Sequence, residues 1–209
     1  MELTSSSFAD GAVIPGEFAF CLPDLESHVI LAPNRNPHLA WSAVPADTRS
    51  LALICHDPDV PTKPDDVNQE GREVPDDLPR TDFFHWVVTD LPADLREITG
   101  GSFADGVVPR GRQAAAGPHG CRQGLNDYTG WFAGDADMEG QYYGYDGPCP
   151  PWNDSLVHHY VFTLYALAAD TVRVEGAFGG RDLREAMAGH VLDQASLTGT
   201  YTLNQRLLD

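Results

Sequence analysis

A mainly β fold, an antiparallel β-sandwich with one C-terminal helix and long loops, is predicted by three observations. Short runs of β-branched and aromatic residues recur along the 209-residue chain. Stretches rich in Gly and Pro, drawn from 20 Gly and 16 Pro, separate these runs. Helical periodicity is confined to one late segment.

The elements follow in order. Phe18 to Phe20 and Val29 to Leu31 read as short strands. NPHLAW, Asn36 to Trp41, is a Pro-containing turn leading to an apolar packing stretch. SLALICHD, Ser50 to Asp57, reads as a buried strand. DFFHWVVTDLP, Asp82 to Pro92, reads as another, stopped by Pro92. Val157 to Leu167 is the best strand pattern in the chain. In the helix, Asp182 and Glu185 fit a capping box, and Leu183, Ala186, Met187, His190 and Val191 share one face. Gly199 is expected to break the chain before a short closing strand, Thr200 to Leu203.

Two insertions interrupt this pattern. Residues 62–82 hold seven acids, three bases and three prolines. Residues 112–141 are Gly-rich and polar, with Tyr128, Trp131 and Phe132 embedded. Loops of this length are either functional covers or mobile surface. Both adjoin the polar motifs described below. The aromatics are expected to fold over a pocket rim, because a solvated loop gains nothing from them.

The length suits a single domain spanning 1–209, and a 42% hydrophobic content suffices for its core. No run approaches the ~20 apolar residues of a membrane-spanning helix. MELTSSSFADG has neither a basic region nor an apolar core, so it does not read as a secretory signal. A cytoplasmic location is the expectation. Acids outnumber bases 31 to 13, a net charge of -18, which repels nucleic-acid backbones and anionic bilayers. The four cysteines show no CxxC spacing, so no zinc site is expected. Cys55 reads as a core residue, and a Cys121–Cys149 disulfide is an open option disfavoured in a reducing compartment.

Asp57 and Asp59 flank Pro58, with Pro61 following, so the chain is expected to leave the strand in a stiff turn. Residues two apart in an extended chain share a side, which would let the two acids converge. His85 interrupts an apolar strand. His158 and Tyr160 share one face of their strand, and His159 and Val161 share the other. Each alone reads most simply as a turn cap or a core histidine. Together they place Asp, His, His and Tyr at the ends of three strands. Metal ligation lacks an HxH or HxxxH pair. A hydrolytic triad lacks a GxSxG elbow. Anion recognition by imidazole, phenol and turn amides is the third use.

These motifs also carry a resemblance. DPDVP, the His85–Trp86 pair, GPCPP at Gly147 to Pro151, HHY at His158 to Tyr160, and NPHLAW occur in order. They resemble the DPDxP, histidine-strand, GPxPP…HRY and SPxLxW elements of the phosphatidylethanolamine-binding protein family. The closing helix and SLTGTY are similar to its prokaryotic Raf-kinase-inhibitor-like branch. The resemblance implies an anion pocket at one edge of a β-sandwich. Its ligand-binding residues are Asp57, Asp59, His85, Pro148, Pro151, His158 and Tyr160. His159 stands where the family usually has Arg, and Trp152 to Asp154 where a Gly is common.

The expected function is binding of a small anionic, phosphate-bearing ligand such as a phospholipid head group, without catalysis, cofactor or metal. A kinase or protease partner is implied by family analogy alone, and a homodimer is left open. The runner-up is a hydrolase or acyl-transfer enzyme using a His/Asp pair. A regulator acting only by protein contact is third.

Overall fold

Alternation along one central strand sets the layering. Leu51, Leu53 and Cys55 point into one buried cluster, while Ala52 and Ile54 point into another. A strand covered on both faces must be apolar at nearly every position, as Ser50 to Cys55 is. The computed structural model describes residues 1–208. Its strands are β1 (Glu2–Thr4), β2 (Cys21–Asp24), β3 (His28–Leu31), β4 (Leu39–Ser42), β5 (Ser50–Pro61), β6 (Arg80–Pro92), β7 (Glu97–Ile98), β8 (Arg122–Gln123), β9 (His158–Leu167) and β10 (Val191–Tyr201). The helices are α1 (Tyr128–Trp131) and α2 (Gly180–Met187).

A five-stranded sheet, β10-β9-β5-β6-β8, is antiparallel throughout. One face packs on the three-stranded sheet β1-β4-β7 and the β2–β3 hairpin, through Leu3, Leu39, Trp41, Trp86, Phe162 and Leu164. The other face lies under α2, where Leu183 and Met187 meet Ile54, Phe84 and Val87. This is the mainly β, sandwich-like architecture expected, with sheets that do not close into a barrel.

Several local expectations need correction. Phe18 closes a short 3-10 turn, Gly16–Phe18, because Pro15 fixes φ at -58° and its carbonyl accepts the Phe18 amide at 2.9 Å. The chain does not leave β5 at Asp57; the strand runs through DPDVP to Pro61. Gly199 does not break the chain, since β10 pairs without interruption from Asp193 to Tyr201. Glycine stands there because a Cβ would lie 2.4 Å from Ile14 Cγ1. Helix α2 is capped one turn earlier than expected: the Asp182 carboxylate accepts the Gly179 amide at 2.8 Å. It ends at Met187, so His190 and Val191 are exposed beyond it.

The cysteines also pair differently. Cys149 is bridged to Cys21, and Cys121 is a free, buried thiol, as is Cys55. The Pro148 carbonyl accepts the Phe20 and Cys21 amides at 2.9 and 3.2 Å, which brings Cys149 to β2. Such bridges are uncommon in reducing compartments, so cysteine usage does not support the cytoplasmic expectation. No helix among the described residues is long and apolar enough to cross a membrane.

Candidate functional site

Two β-bulges aim the polar residues. In the β5–β6 pair, Cys55 faces Trp86 and His56 faces Phe84, which leaves His85 as the extra residue. Phe84 can then join the layer under α2 while Trp86 stays in the main core, and His85 is re-aimed between them. A second irregularity lies between Asp57 and Val60, where β5 gains a residue against Phe83 to Thr81. Pro58 is accommodated at this irregularity. As a result Asp57 and Asp59 part company. Asp57 is 1% exposed and turns to His158. Asp59 accepts the amide and Nδ1 of exposed His159, each at 2.8 Å.

His158 is fully buried between two carboxylates. Its Nδ1 lies 2.7 Å from Asp57 Oδ2 and its Nε2 lies 3.0 Å from Asp154 Oδ2. Arg80 forks onto Asp154 at 2.6 and 3.1 Å. His85 donates Nδ1–H to the Asp146 carbonyl at 2.8 Å. Asp146, also buried, is held by Asn34 at 2.7 Å, Asn126 at 2.8 Å and Arg112 at 3.2 Å. Tyr160 lies edge-on to His85, with ring centroids 5.0 Å apart. Its hydroxyl is buried beside the Asp57 carboxylate, with no acceptor at full hydrogen-bond geometry.

An aromatic wall closes the cluster. Tyr128 meets His85 and Phe83 edge-on at 5.6 and 5.2 Å and donates its hydroxyl to the Gly147 carbonyl at 2.8 Å. Phe132 stacks on Tyr128 at 5.6 Å, whereas Trp131 is half exposed. Of the three insertion aromatics, Tyr128 therefore lies against the cluster and Phe132 backs it from behind. The same insertion also supplies β8, the sheet's short edge strand. The acidic insertion is fastened on the other side. Asn153 donates to the Asp66, Gln69 and Arg72 carbonyls and accepts the Asn68 amide.

The two inner histidines are driven apart. Burial pulls His158 down, but the Asp154 and Asp57 carboxylates outweigh it and raise its pKa to about 9. Burial lowers His85 to about 4, against the weaker upward pull of Asp57 and the Asp146 carbonyl. Burial, then the Asp57 charge, pushes the Tyr160 phenol well above its usual value. His158 stabilises the fold fully below its ordinary pKa of 6.5, and that contribution is lost as pH rises towards 9. His85 acts oppositely: it costs stability as pH falls from 6.5 towards 4. Each limb is worth up to about 3 kcal/mol. Urea unfolding between pH 4 and 10 should show stability highest near neutrality. His158→Gln should flatten the alkaline limb; an alkaline limb that survives unchanged refutes the assignment.

The structure brings Asp57, His85, His158 and Tyr160 together. Asp59 and His159 form a separate surface pair. Pro148 is buried, with its carbonyl spent on β2, and the half-buried Pro151 accepts the Asp154 amide at 3.1 Å. Sequence reasoning missed Asp154, Arg80, Asp146 and Asn34. Asp146 was legible as the acid inside YGYDGPCPP. Arg80 carried no local signal, because its partner lies 74 residues away.

Known proteins resemble this chain over nearly its full length. The family model described as phosphatidylethanolamine-binding protein matches residues 4–202. A protein of Methanothermobacter thermautotrophicus is 36% identical over 202 residues, covering 96% of this chain and 98% of the relative. YbhB of Escherichia coli is 31% identical, covering 97% and 100%. Among solved structures, E. coli YbcL superposes with a TM-score of 0.68 at 25% identity, covering 96% and 97%. A homologue from Chlamydia trachomatis gives 0.61 at 29%, covering 96% and 95%.

Proposed function

The chain belongs to the phosphatidylethanolamine-binding protein family, and from that premise we propose that it is a binding protein, not an enzyme, for a small anionic, phosphate-bearing head group. The observation that carries this reading is the Tyr160 hydroxyl. It is a buried donor beside His85, near the Asp57 carboxylate but with no acceptor at full hydrogen-bond geometry. A buried donor left without a well-placed acceptor costs up to about 1–3 kcal/mol, and an oxygen of a ligand entering there would recover part of that cost.

Catalysis is the weaker reading for a stated reason. A general base needs a free lone pair and adequate basicity: both His158 nitrogens face carboxylates, and His85, whose Nε2 is free, is made a weak base by burial, which lowers it to about 4. Burial, then the Asp57 charge, pushes the Cys55 thiol well above its usual value, so it supplies no thiolate nucleophile. The family's kinase and protease associations lie outside this pocket chemistry.

Ligand entry is coupled to a proton. His85 is neutral at pH 7 with its Nδ1–H already committed, so donating Nε2–H to an anion requires protonation. One proton taken up per anion makes affinity fall about tenfold for each pH unit of rise. Calorimetry with inorganic phosphate and with a phosphorylated head-group analogue, from pH 5.5 to 8, tests this. Binding absent throughout, or unchanged in Tyr160→Phe, overturns the reading. The net charge of -18 repels an approaching anion, so the association rate should rise with salt. Tyr128→Phe, which removes only the hydroxyl bond to the Gly147 carbonyl, should speed phosphate release while leaving hydrogen exchange in β5 and β9 largely unchanged, as stopped-flow and exchange measurements would show.

A further inference from the structure

The chemistry of His158 depends on a residue outside the expected set. A neutral imidazole can donate from one nitrogen only. With a carboxylate at 2.7 Å from Nδ1 and another at 3.0 Å from Nε2, the two contacts are both satisfied when the ring is an imidazolium. Asp57 alone would leave Nε2 free. Asp154 is therefore what commits the second nitrogen.

Asp154 in turn is bound to the acidic insertion. Its fork partner Arg80 stands at the end of that loop, where β6 begins. The same guanidinium reaches the Pro75 carbonyl in the loop at 2.6 Å and the Asp59 carbonyl in the β5 bulge at 2.7 Å. One residue earlier, Asn153 anchors the loop backbone, and Val74 is bridged to Asp154. A side chain that merely filled space would not be shared among the loop, the bulge and the imidazole.

We infer that Asp154 is a positioning residue that keeps His158 charged and turned away from an incoming anion, and that Arg80 makes this hold depend on the seating of the 62–82 loop. The ligand consequence rests on the anion reading above; the hold on His158 does not. The groups facing the ring are Asp57 from β5, Asp154 from the loop before β9, and His85 from β6. Tyr160 lies two residues on along the same face of β9, and Arg80 acts through Asp154. With the loop seated, both N–H groups of His158 are occupied. Lifting the loop withdraws the competing Arg80 charge and leaves the Asp154 carboxylate to the imidazolium alone.

The test reads the His158 titration by NMR in the ligand-free full chain, so it is independent of any ligand. Asp154→Asn removes an opposite charge and should lower the midpoint by about one to three pH units. Arg80→Met removes a competing positive charge and should raise it, with faster exchange of the Asn68 and Val74 amides. Asp154→Glu should restore the wild-type direction of charge. Midpoints that stay put, or that fall in both Asp154→Asn and Arg80→Met, reduce the pair to a structural clamp and overturn the inference. Where Asp154→Asn does not fold, the sign of the Arg80→Met shift decides alone. Phosphate calorimetry on the wild type is scored separately: no binding defeats the anion reading, while the His158 midpoints still judge this one.

Discussion

Replacing Cys149 with Ser is expected to lower stability by about 4–5 kcal/mol. The bridge to Cys21 closes a loop with a sequence separation of 128 residues, and the chain-entropy cost of so long a loop sets that size. The effect acts mainly on the unfolded chain. The native Pro148 carbonyl keeps its two amide bonds to Phe20 and Cys21, and Tyr128 still holds Gly147. Equilibrium unfolding of Cys149→Ser and Cys21→Ser should therefore give similar losses, and the double variant no more than either alone. Reducing agent should reproduce the loss in the wild type and add nothing in the variants. A wild type indifferent to reduction would remove the bridge from the account of stability.

Asp57→Asn should cost about 3 kcal/mol near neutral pH. Breaking a buried ion pair costs about 3–5 kcal/mol when a charge is left uncompensated, and Asp154 still holds the other nitrogen, which favours the lower end. A small effect on the thermal midpoint would be the expectation if Asp57 served only a ligand. Its burial at 1% exposure and its 2.7 Å contact with His158 overturn that expectation. The pH dependence identifies the cause. Above the His158 pKa of about 9 the wild-type ring is neutral, so the penalty should shrink there. Urea unfolding at pH 7 and pH 10 provides the comparison. A penalty of equal size at both values would trace it instead to the Asp59 amide, 2.8 Å from Asp57 Oδ1, which loses its acceptor if the Asn oxygen turns to His158.

The histidines show how far local pattern reaches. Opposite facing of His158 and His159 followed from the two-residue period of a strand, and the structure buries one and exposes the other. The same period placed Asp57 and Asp59 on one side, and there it failed. An extra residue in β5 reverses the facing beyond Asp57, and such a bulge is defined against the partner strand. His85 is re-aimed by the matching device in β6.

The sequence alone determined the β class, three of the long strands' cores, the family resemblance and the order of the motifs. These rest on composition and short-range periodicity, which each segment carries by itself. The tertiary structure alone decided which distant groups pair. Arg80 meets Asp154 across 74 residues, Cys21 meets Cys149 across 128, and Asn34 meets Asp146 across 112. Burial removes water as the alternative partner, so each of these groups is settled by whichever distant side chain the sheet register brings to it.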